Sequence, residues 1–159
     1  MSRFIDFPVI YGKLGNHPGL LSTEQAAAIF KHAMDVNPGG AFVEYDPDGG
    51  RSTVILATAA QNLDGKVYVF TNWEAAPKGA EPFFQRAYKT HRLAQNVAVD
   101  TKDDLPTDAD LVVARSDGLD WRGNGALKPK KVLMLDNGDA GEGWTKAAEG
   151  QGWALWQPV

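Results

Sequence analysis

Cysteine is absent from the 159-residue chain, which rules out disulfide bonds and thiolate chemistry and fits a reducing compartment. No apolar run is long enough to span a membrane, and the opening Met1-Ser-Arg-Phe-Ile-Asp-Phe-Pro8 lacks the apolar core of a signal peptide. The expectation is a soluble protein with no membrane partner, working in the cytoplasm or in a particle assembled there. Positive charge is also short: 16 Lys and Arg face 20 Asp and Glu, a formal net charge of −4. The one basic cluster, Lys128-Pro-Lys-Lys131, is too small to build the basic face that nucleic acid requires, so no nucleic-acid partner is expected. Histidine is scarce and dispersed (His17, His32 and His91), and the calcium-loop spacing Asp-x-Asp-x-Asp-Gly is missing. No metal is expected on these grounds. Ser52 and Ser116 lack the glycine-flanked elbow of a serine nucleophile, and Gly49-Gly-Arg-Ser-Thr53 lacks the lysine of a phosphate loop.

What the chain does carry is an alternation of short apolar runs and helical patterns. Residues 1–21 are rich in glycine and proline and are expected to form an extended N-terminal segment. Ser22-Thr-Glu-Gln25 is a capping-box pattern and opens a helix with Ala26, Ile29, Phe30, Ala33 and Met34 on one face. Pro38-Gly-Gly40 stops it ahead of strand Ala41–Tyr45. A helix over 50–62, a strand over 66–71, a helix from about Pro82 to Arg92 and short strands at 97–99, 110–114 and 131–135 follow. A last helix is expected over 143–149 and a single strand over 153–156. Strands alternating with helices predict a single α/β domain over 22–159, a Rossmann-like, mostly parallel sheet with helices on both faces. Its C-terminal hairpin is expected to be truncated to one strand.

The segment Ala41-Phe-Val-Glu-Tyr-Asp-Pro-Asp-Gly-Gly-Arg-Ser-Thr-Val-Ile-Leu-Ala57 is a strand, a glycine turn and a helix start, the succession that builds nucleotide sites at a sheet edge. Together with Gly19–Gln25, Val67–Trp73, Asp110–Ala114 and Leu127–Asp136 it resembles class I S-adenosylmethionine-dependent methyltransferases, in their small-molecule and sugar-modifying branch. The resemblance implies that Glu44, Gly50, Ser52 and Glu74 would hold S-adenosylmethionine, with Asp117 or His17 as general base on a hydroxyl substrate. It also exposes three departures. Asp46 stands at a glycine position, Thr71 at the ribose-binding acid position and Arg115 at an acidic position after the fourth strand. A guanidinium near the sulfonium would repel it.

Two functions follow as expectations. The first is a degenerate methyltransferase fold, with no cofactor and no catalysis, acting as a binding or structural module in an oligomer or larger assembly such as a virion. The second is a minimal active methyltransferase using S-adenosylmethionine. Trp73, Trp121, Trp144, Trp153 and Trp156 fall on loops or near the chain end, where tryptophan favours partner contacts, so self-association or a protein partner is expected through them.

Overall fold

The computed structural model describes residues 4–15, 17, 21–47, 49–71, 73, 78–99, 107–116, 121–123, 127–136 and 138–159. Among the described residues the chain forms four α-helices and seven strands in the order α1 (Phe7–Leu14), α2 (Thr23–Met34), β1 (Ala41–Tyr45), α3 (Arg51–Asn62), β2 (Lys66–Phe70), α4 (Ala80–Thr90), β3 (Val97–Val99), β4 (Leu111–Ala114), β5 (Val132–Met134), β6 (Trp144–Gly150) and β7 (Trp153–Pro158). The strands form one mixed sheet in the order β3-β2-β1-β4-β5-β7-β6, in which only β7 runs against its neighbours. Among the described residues no helix is long and apolar enough to cross a membrane.

The alternation of strand side chains divides the core. Phe42, Val67, Val69, Leu111, Val113, Leu133 and Leu155 pack with the buried faces of α1 to α4 in one cluster. Their neighbours Val43, Tyr45, Phe70, Val112, Ala114, Val132, Met134, Ala154 and Trp156 form a second cluster on the other face. Trp121, Leu127 and Ala140, from connecting segments, complete that second cluster, and no residue of α1 to α4 belongs to it. Among the described residues, then, α1 to α4 pack on the first of these faces.

Two expectations are corrected. Residues 7–14 are helical rather than extended: Asp6 accepts from the Phe7 N–H at 2.8 Å as N-cap, Pro8 sits in the first turn, and Ile10 and Leu14 are buried. The C-terminal hairpin is complete rather than truncated. Trp144–Gly150 is a strand, not a helix, joined through Gln151-Gly152 to β7, which pairs with β5.

Gln25 ties this hairpin to α2. Its side chain closes the capping box with Ser22, and its Nε2 donates to Leu135 O at 3.0 Å and Gly152 O at 2.8 Å. Gln25→Ala removes all of these bonds and leaves the part-buried Gly152 carbonyl without the Gln25 donor, while Leu135 O keeps that of Arg115. A loss of about 2 kcal/mol in urea unfolding is expected.

Candidate functional site

In a parallel sheet the carboxyl ends of the strands share one edge, and ligands of open α/β folds bind there. Here that edge is made by Tyr45 and Asp46 after β1, Thr71 after β2, Arg115 after β4 and Leu135-Asp136 after β5. Asp46 adopts φ 49, a left-handed conformation that aspartate tolerates better than most side chains. Its N–H donates to Phe70 O at 2.8 Å, and its Oδ1 accepts from the Thr71 hydroxyl at 3.0 Å. The carboxylate at the glycine position thus reaches across to the end of β2 and bonds the threonine that stands where an acid was expected.

Glu44 and Ser52 point inward. Glu44 lies on the helix side of β1 beneath the first turn of α3, at 1% exposure, and accepts from the Thr53 hydroxyl. Burial pushes its pKa up to about 7, against the opposing pull of the Ser52 and Thr53 hydroxyls and the Arg115 charge. Its Oε2 has no hydrogen-bond partner among the described residues. Ser52 is buried as well. Gly50 is the left-handed residue before α3, and a Cβ there would lie 3.0 Å from both Ala87 Cβ and Phe84 Cδ2. It therefore serves the packing of α4 on the turn. Glu74 and Asp117 lie outside the described residues, as do Asp48 and Asp120.

The N-terminal segment is clamped onto the same turn by His17 and by two residues that the sequence did not single out, Arg51 and Tyr11. Arg51, the first residue of α3, donates through Nη1 to Gly15 O and His17 O, both at 3.0 Å, and its guanidinium lies over the Tyr11 ring at 5.2 Å. Tyr11 in turn pairs with the Thr23 hydroxyl at 2.7 Å; that bond, followed by Arg51, holds its phenol below its ordinary pKa. His17 stacks on Phe83 at 5.0 Å and 8°, with Nε2 at 2.7 Å from Gly49 O. A carbonyl only accepts, so Nε2 carries the proton in this arrangement, and only Nδ1 is left to act as a base.

The β4 and β5 ends are held by their own neighbours. Arg115 Nη1 donates to Leu135 O at 3.2 Å. Asp136 accepts from the Ser116 N–H at 2.7 Å, the Ser116 hydroxyl at 2.8 Å and the Gly138 N–H at 2.8 Å. Burial raises the Asp136 pKa, but these bonds and the Arg115 charge outweigh it and leave the carboxyl below its ordinary value. Asp139 accepts from the Gly141 N–H at 2.8 Å. Among the described residues no three His, Asp or Glu side chains gather as a metal group.

The tryptophans pack within the chain. Trp121 and Trp156 are buried, Trp144 sits edge-on to Trp121 at 5.2 Å, Trp73 packs on Phe84 at 5.5 Å and Trp153 on His32 at 5.3 Å. Trp73, Trp144 and Trp153 remain half-buried.

The seven-stranded order, the single antiparallel strand β7 and the glycine turn between β1 and α3 make this the class I methyltransferase fold. Solved structures share it. A methyltransferase from Geobacter sulfurreducens matches with a TM-score of 0.62 at 11% identity, over 88% of this chain and 80% of that one. Cofactor-bound Rv0187 from MTB matches at 0.60 and 18% identity, over 96% and 90%. TrmN from Thermus thermophilus matches at 0.55 and 16% identity, over 85% of this chain and 48% of that one. No protein-family model and no curated protein matches the chain. The likeness is one of fold and does not single out a small-molecule branch.

Proposed function

We propose that this domain is a catalytically silent methyltransferase fold, a binding or structural module rather than an enzyme. The Asp46–Thr71 bond carries the reading. It joins the ends of β1 and β2, so a nucleoside laid across them must displace the carboxylate or break the bond. Glu44 and Ser52 face the interior, and Arg115 places a fixed cation at the β4 end, unfavourable to a sulfonium. As they stand, these residues do not fit S-adenosylmethionine. Work in an oligomer or larger particle would suit such a module, and β3, a short half-buried strand, is an edge of the sheet among the described residues where a partner strand would pair.

One observation favours a second reading, an active enzyme. The Asp46 carboxylate lies where β2 lacks its acid, so the chain could supply the ribose acceptor from the neighbouring strand. A pair of variants separates the two. Under the first reading, calorimetry of the wild type with S-adenosylmethionine gives no binding, and Asp46→Gly with Thr71→Asp creates it at roughly 100 μM or tighter. Under the second, the wild type binds already and Asp46→Ala weakens it at least about tenfold, as expected for loss of a charged acceptor.

A further inference from the structure

We propose that the groove between α1 and α4, on the helix face, binds an amphipathic anion: a small molecule with an apolar body and a phosphate, sulfonate or carboxylate head. The groove encloses about 590 Å³, within the usual range for small-molecule sites. Ile5, Ile10 and Leu93 supply its apolar lining, Lys13 and Arg92 its positive charges and His91 an imidazole. Among the described residues no carboxylate lines it, although acids outnumber bases in the chain as a whole. Among the described residues neither of these two cationic side chains is paired with a carboxylate.

The groups are close enough to act on one another. Burial lowers the His91 pKa first, and the Lys13 and His17 charges lower it further. An anion seated among them would relieve that repulsion. The walls are fixed rather than adaptable: Asn62, at the end of α3, holds Ile5 through its N–H at 2.8 Å and its carbonyl at 2.7 Å.

Arg92 gives an independent indication. α4 ends with Leu93 N–H bonded to Tyr88 O at 2.9 Å and Arg92 N–H to Lys89 O at 3.0 Å, with Arg92 at φ 59. This is a helix stop that favours glycine at the left-handed position. An arginine there strains the backbone with no ion pair in return, a pattern associated with a side chain held for a ligand. The proposal does not rest on the strand-end site, which lies at a different part of the fold.

The test uses anilinonaphthalene sulfonate as a fluorescent probe of the folded protein, displaced by octyl phosphate, octanol or inorganic phosphate. Saturable probe binding is expected, with octyl phosphate displacing it at least about tenfold better than either octanol or inorganic phosphate. Lys13→Glu with Arg92→Glu should weaken octyl phosphate binding by roughly tenfold or more. Arg92→Gly should weaken it too, while the thermal midpoint holds or rises, because glycine suits the backbone there. Equal displacement by octanol, absence of saturable probe binding, or unchanged affinity in the charge-reversed variant overturns the proposal. A purely structural Arg92 would show the stability change of Arg92→Gly without the change in affinity.

Discussion

Glu44→Gln is expected to remove a large pH-dependent contribution to stability. The Glu44 carboxyl has its pKa raised by burial from 4.5 to about 7 in the folded chain. The folded state therefore holds a proton that the unfolded state releases across that interval. Stability falls as pH rises from about 4.5 to about 7 and stays lower above it, by about 3 kcal/mol from this group. Glutamine keeps the shape and accepts from Thr53 but cannot ionise. Urea unfolding near pH 5 and near pH 8 should show the wild type losing about 3 kcal/mol relative to the variant over that range. The comparison with the variant matters, because His32 and His91, whose pKa values are lowered chiefly by burial, pull stability the other way near neutrality. Asp136 does not interfere: its stabilising bonds are lost only as pH falls below its ordinary 3.8. Parallel curves for wild type and variant would mean that Glu44 titrates as an ordinary surface acid.

Gly50→Ala should be nearly as severe at every pH. Position 50 has φ 92, and an added methyl meets Ala87 Cβ and Phe84 Cδ2 at 3.0 Å and Phe84 O at 3.3 Å. Left-handed strain of about 1–2 kcal/mol and overpacking of about 1–3 kcal/mol combine to roughly 3 kcal/mol. For a domain of this size that lowers the thermal midpoint by about 6–12 °C. Gly79→Ala is the control, since position 79 has φ 86 but nothing within 4 Å of the added methyl, leaving only the backbone strain of about 1–2 kcal/mol. If both substitutions cost the same, the fit of α4 against the β1–α3 turn contributes nothing.

The central sheet was legible because strands such as Val67–Phe70 and Leu111–Ala114 are apolar on both faces and punctuated by Asp64-Gly65 and similar turns. The Ser22–Gln25 capping box announced α2 and is present. Segment 144–150 misled because Lys146-Ala-Ala-Glu149 contains good helix formers, while its strand conformation comes from pairing with β7, which sequence alone does not display. Helix α1 was obscured by Pro8 and Gly12, though Asp6 ahead of Pro8 is a start signal that could have revealed it. At the site, the departures at Asp46, Thr71 and Arg115 were visible one at a time. Their relation was not: the Asp46–Thr71 bond joins residues 25 positions apart. The Arg51 clamp reaches 36 and 34 positions back to Gly15 and His17, and no local pattern reports such a contact.

The account turns on whether the wild-type strand edge accepts the cofactor of this fold. Titration of S-adenosylmethionine into the unmodified protein by calorimetry, to millimolar ligand, tests that directly. The silent-module account predicts no saturable heat. A saturable isotherm with a dissociation constant below about 100 μM, roughly −5.5 kcal/mol, would contradict it and establish an edge on which Asp46 serves the nucleoside rather than closing the site.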